Sequence, residues 1–229
     1  MKLAITENQR TAFDNIGATR IIATTIGVFF GLFSSVNHGF FELLQGNKPT
    51  GSLIIQAIGE EQRFWPLGTE EAFTLIPNFM ITGIASMVVG VAIIIWSIWF
   101  LPTRHGRSVF LGLFILSFLV GGGIGQVVFF IPAWAFATRL NMPLTWWRKV
   151  LPQRSWPLLS KLWPVTLVLA TAVMLAGLEM AIFGYFPGRS EPEAIQNTAL
   201  LFVLASATLY IISFIAGFGH ELRRQQAGT

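Results

Sequence analysis

Cysteine is absent from this 229-residue chain, which removes disulfides, thiolate-ligated zinc, iron–sulfur clusters and thiol nucleophiles from consideration. Charge is scarce as well. Only 11% of residues are Asp, Glu, Lys or Arg while 53% are hydrophobic, too little polar surface to keep a globule of this size in water. Tyrosine (two) and histidine (three) are rare beside 21 Phe and eight Trp, and any metal site has to be built from His, Glu or Asp. The chain therefore reads as an all-α, polytopic integral membrane protein solvated by lipid. The net charge of +4 does not point to nucleic acid, because the basic residues separate apolar runs instead of interleaving with aromatics on one surface.

Four runs are long enough to cross a bilayer, which takes about 20 helical residues. They are Ile21 to Leu44, Phe73 to Leu101, Pro164 to Phe186 and Thr198 to His220. The first follows a polar stretch, lacks a small-residue cleavage site, and at 24 residues exceeds a signal core, so it reads as a retained anchor. Thr69 ahead of Glu70 and Glu71, and Ser190 with Glu193, read as helix starts before the second and last spans. Pro77 and Pro132 are expected to kink their helices.

A fifth apolar run, Val109 to Thr138, is interrupted by Gly121-Gly122-Gly123-Ile124-Gly125-Gln126, and three adjacent glycines disfavour a continuous helix. Charge arbitrates between its two readings. As a fifth span, with the N-terminus inside, it leaves six Lys and Arg inside and nine outside. As a hairpin re-entering the cytoplasmic side it puts Lys2, Arg10, Arg20, Arg104, Arg107, Arg139, Arg148, Lys149, Arg154, Lys161, Arg223 and Arg224 inside, twelve against Lys48, Arg63 and Arg189. The positive-inside rule favours the hairpin, with both termini cytoplasmic in a bacterial-type plasma membrane; five spans is the alternative. Each arm would be ~18 to 20 Å as helix, and broken backbone at that depth must be buried in protein or line a cavity.

No internal repeat appears, and the whole chain is one domain. The outer loop 45–72 is long enough for a lid. Segment 139–163, with Trp146, Trp147, Trp156 and Trp163 among Arg148, Lys149, Arg154 and Lys161, reads as interfacial pieces broken by Pro152 and Pro157 that anchor the chain, an anionic-lipid patch at those four cations being the sharper alternative.

Ionisable groups inside spans are costly and point to function. His38 and Glu42 share a helix face at i and i+4 near the outer end of the first span, Asn78 starts the second, and Glu179 lies seven residues before the end of its span. Their equal depth, within ~3 to 10 Å of the outer boundary, suggests one polar pocket, with Gln126 facing it from the glycine tip. His38, Glu42 and Glu179 could ligate a divalent ion, although a lone histidine is a weak metal signal. Ser34, His38 and Glu42 imitate a nucleophile series, but one helix strings them along a stripe with no oxyanion donors, and such stripes commonly serve packing, as do Gly27/Gly31 and Ser213/Gly217. The glycine run lacks the Lys-Ser/Thr of a phosphate loop. Transport of a small solute, ion or proton through the pocket is the first functional reading. An accessory or assembly subunit is the second, and an intramembrane lipid-modifying or metal-dependent enzyme the third. Cofactor, solute and oligomeric state are not legible.

Overall fold

The computed structural model describes residues 17–140 and 142–227, so that Lys2 and Arg10 of the charge count, and the placement of the N-terminus, lie outside the described residues. It is an all-α polytopic bundle with four helices long and apolar enough to cross a membrane. Helix α1 is Ala18–Leu44, and α2 is Phe79–Phe100. A shorter pair, α3 (Gly106–Leu119) and α4 (Val127–Ala137), follows. The small helix α5 (Thr145–Val150) leads to α6 (Trp156–Phe183) and α7 (Pro192–Ala227).

Polar contacts mark one end of the bundle. Here Glu221 Oε1 accepts from Thr19 N at 2.9 Å, Arg20 donates to the Ile98 carbonyl at 3.2 Å, and Arg148 donates to Gln225 at 3.1 Å. Both feet of the α3–α4 pair stand there: Arg107 Nη1 donates to the Thr138 carbonyl at 2.8 Å, and Trp96 Nε1 to that of Gly106 at 2.8 Å. This basic end holds the described members of the twelve-cation set. The opposite, acidic end holds segment 45–78 and the α6–α7 turn.

The glycine run is extended rather than helical. Residues Val120–Gly123 form strand β3, which adds to an antiparallel pair made by β1 (Ile54–Gln56) and β2 (Glu71–Thr74) in the order β1-β2-β3. Ile55 faces Ala72, and Ala72 in turn faces Gly123, with a bulge before the Thr74–Val120 pair. Thr82 Oγ1 donates to the Val120 carbonyl at 2.7 Å, so the hairpin tip is tied both to the loop and to the first turn of α2. Part of the backbone freed by the glycines is thereby paired inside the protein.

Several helix boundaries differ from the sequence expectation, each for a local reason. Thr69, Glu70 and Glu71 start no helix. Thr69 donates to the Ile58 carbonyl at 2.9 Å and the chain enters β2. Helix α2 begins at Phe79 rather than Phe73, with Asn78 as the N-cap accepting from Ile81 N at 3.1 Å, and Pro77 lies before the helix instead of kinking it. Pro157 does not break the interfacial segment. It sits in the first turn of α6, where a missing N–H costs nothing, and the helix runs on through Pro164. Pro192 opens α7, which moves the cap one residue beyond Ser190.

The core is aromatic. Phe30 packs on Phe129 at 4.6 Å between ring centres, Phe114 stacks on Phe130 at 5.2 Å, and Phe136 on Phe214 at 4.5 Å. Spans α1 and α2 approach backbone to backbone: a β-carbon on Gly90 would lie 2.6 Å from the Gly31 carbonyl oxygen, and one on Gly83 2.5 Å from that of Gly39. Small residues at both crossings permit this. Ser213 donates to the Trp163 carbonyl at 3.0 Å and Gly217 abuts Ile22, so that small pair also serves packing.

Candidate functional site

Helix α1 is not uniform. Residues Gly31–Asn37 are wound as a π-helix immediately before His38, a distortion that recurs at functional sites because it re-aims the side chains beyond it. Here it delivers Ser34, His38 and Glu42 onto the extended glycine tip. A β-carbon on Gly123 would stand 2.6 Å from His38 Cε1 and 2.9 Å from Ser34 Oγ. One on Gly121, whose φ is +108°, would stand 2.5 and 2.7 Å from the two Glu42 oxygens. Only glycine satisfies both the backbone angle and the space at position 121.

The burial of these groups is severe. Glu42 is 0% exposed, and neither of its carboxyl oxygens has a hydrogen-bond partner. Gln126 is 1% exposed. Its Nε2 donates to Ser117 Oγ at 3.3 Å, while its Oε1 is unpartnered. His38, 2% exposed, makes one contact, Nε2 to Glu70 Oε2 at 2.6 Å, and leaves Nδ1 without a partner. Burial raises the Glu70 pKa, but the hydrogen bond and charge of His38 lower it by more, holding this loop carboxyl below its ordinary value of 4.5. Glu70 is thus the ionised acceptor and His38 Nε2 the donor.

A buried seam of hydroxyls links α1 to the hairpin and to α2. Ser35 Oγ and Ser117 Oγ are 2.7 Å apart, and Ser86 donates to the Ser35 carbonyl at 3.0 Å. Beside the glycine tip lies a cavity of 570 Å³ whose polar wall includes Glu70, Glu71, Gln126 and Ser34, and whose apolar wall comes from α1, α4, α6 and α7. Phe30 and Phe129, whose rings pack together, are among its lining residues.

Of the residues expected to share a pocket, His38, Glu42 and Gln126 all pack around the glycine run, but only Gln126 lines the cavity. Asn78 is instead a helix cap that also donates to Asn47 at 2.8 Å, on the exposed acidic end. Glu179 is exposed on the outward face of α6 and does not line the cavity. Among the described residues no three His, Asp or Glu side chains converge, so His38, Glu42 and Glu179 do not form the metal-ligand set considered from the sequence.

Glu70 was missed as a site residue because it read as a helix-start charge. The signal that could have found it is Pro77 followed by Asn78. Together they mark the helix start, and the proline biases Ile76 to extended backbone, which argues against a helix running on from Glu70. No family model, curated protein or solved structure matches this chain.

Proposed function

We propose that the protein is a membrane transporter in which Glu42 takes up and releases a proton, coupled to a small solute in the adjoining cavity. The observation that carries this reading is the Glu42 carboxyl: fully buried, with both oxygens unpartnered, on the broken hairpin. A charge left that way inside a bilayer is costly, so the group requires a proton or a cation and is suited to exchange one. His38 lies one helical turn away, with side chains at i and i+4 about 5 to 6 Å apart at their β-carbons. Its imidazole meets Glu70 at the cavity wall through Nε2 and turns Nδ1 toward the glycine tip, as a proton relay requires.

In this reading α3 and α4 form a re-entrant hairpin entered from the cytoplasm, both chain ends are cytoplasmic, and the acidic end faces outward across a bacterial-type plasma membrane. The meeting of both hairpin feet and the clustering of cations at one end support it. In this reading the cavity would open outward and the phenylalanines around Phe30 and Phe129 would close it inward, one state of an alternating-access cycle at a broken helix. Arg148, Lys149, Arg154 and Lys161 would then meet anionic headgroups of the inner leaflet.

The test is proton flux in proteoliposomes containing an entrapped pH indicator. Glu42→Gln keeps the shape of the side chain and removes the titrating proton. It should abolish flux while the variant folds and melts near the wild-type temperature, because a protonated carboxyl and an amide are both neutral. Flux unchanged in Glu42→Gln would overturn the proposal.

A further inference from the structure

We infer that the 570 Å³ cavity binds a small amphiphile with an N–H-donating cationic head, a primary alkylammonium, and a short apolar chain. This deepens the transport reading and rests on it for the ligand's role as solute, while the binding claim stands on the cavity itself. The volume lies in the range of small-ligand sites, ~300 to 1,000 Å³. Its lining is divided by chemistry. Phe29, Phe33, Phe129, Leu178, Leu200 and Val203 make a wall for hydrocarbon, and the strand β2 edge with the glycine tip makes a wall for a polar head.

The polar wall selects the head's charge and its hydrogen-bonding sense. Gln126 has its Nε2 committed to Ser117, so the atom it has free is Oε1, a buried acceptor that needs a donor. Glu70 and Glu71 add carboxylates, and no Lys or Arg is among the lining residues. Glu70 is already paired with His38 and Arg63 reaches the rim by bonding Gln56, which leaves Glu71 as the lining carboxylate without an ion pair among the described residues. A phosphate, sulfate or carboxylate head would meet acceptors and like charge, whereas an ammonium donates to Gln126 and is attracted by Glu71. A quaternary ammonium carries the charge without the donor, so the two contributions can be separated.

The probe is octylammonium, titrated by calorimetry into the full chain in lipid nanodiscs and corrected against empty nanodiscs. Octyltrimethylammonium, octanol and octyl sulfate serve as matched-chain comparisons. Octylammonium should bind at least tenfold tighter than octanol and than octyltrimethylammonium, with no saturable binding of octyl sulfate. Gln126→Leu should lose roughly tenfold for octylammonium and little for octyltrimethylammonium, the loss of one hydrogen bond to a charged donor. Leu200→Trp, at a cavity-lining residue 56% exposed, gives a second variant that fills cavity space from α7 and leaves the Gln126 side chain in place. It should weaken every octyl ligand. Equal affinity for octyl sulfate, or octylammonium binding unaffected by both variants, overturns the ligand class. Proton flux without octylammonium binding would also overturn it while sparing the transport reading. Binding without flux would sink transport and leave the ligand assignment standing.

Discussion

Gly121→Ala probes the contact on which the site is built. Two separate costs arise at this position. The backbone sits at φ +108°, where an L-residue carries strain of roughly 1 to 3 kcal/mol. The added methyl would also fall 2.5 and 2.7 Å from the Glu42 oxygens, a collision that forces α1 or the tip to move and costs about 1 to 3 kcal/mol as overpacking. The sum, roughly 2 to 6 kcal/mol, should appear as a large loss of melting temperature in detergent, followed by tryptophan fluorescence. The two parts separate in a double-mutant cycle with Glu42→Ala, which removes the carboxyl the methyl strikes. In that background only the backbone strain should remain, so Gly121→Ala should cost about 1 to 3 kcal/mol less than in the wild type. An identical cost in both backgrounds would refute the packing of Glu42 on the glycine tip.

The other expectations follow from single contacts. Because the folded Glu70 carboxyl is held below 4.5, its pairing with His38 contributes stability that is complete above pH 4.5 and is lost as pH falls through the lower folded value. Acid melting curves of wild type and Glu70→Gln should therefore converge as the pH drops below 4.5, and curves that stay parallel would contradict the pairing. Asn78→Ala should cost about 1 kcal/mol by loss of the α2 cap and leave flux intact, since Asn78 lies away from the cavity. A cysteine introduced at Arg148 should react with impermeant reagent only from the cytoplasmic side and one at Lys48 only from the outside. Outside labelling at Arg148 together with inside labelling of a tag on the N-terminus would eliminate the re-entrant hairpin.

What the sequence made legible was depth and charge. The runs of apolar residues located four spans, the cation distribution separated the two ends, and three adjacent glycines foretold an interruption between residues 120 and 126. Azimuth was another matter. Glu179 and His38 share a depth, yet α6 turns its carboxylate outward, because the helix packs through the Gly177 and Met174 side against α7 and the bundle. Hydrophobicity in a membrane does not mark the inner face of a helix as it does in water, since lipid is as apolar as the core. His38 and Glu42 were legible as a pair because they share one helix. Their partner Glu70 lies 32 residues from His38 along the chain, and only the strand pairing of β2 with the glycine tip carries it there. The π-helical stretch that aims His38 has no sequence signature beyond Gly31 and the two serines that follow.

The most direct measurement compares proton flux through Glu42→Gln and Glu179→Gln in matched proteoliposomes. Both substitutions remove one carboxylate from a candidate membrane-spanning helix, but only Glu42 is buried on the glycine tip. The account predicts no flux in Glu42→Gln and wild-type flux in Glu179→Gln. Wild-type flux in Glu42→Gln, with loss in Glu179→Gln, would contradict the proposal by assigning the proton to the exposed acid on α6.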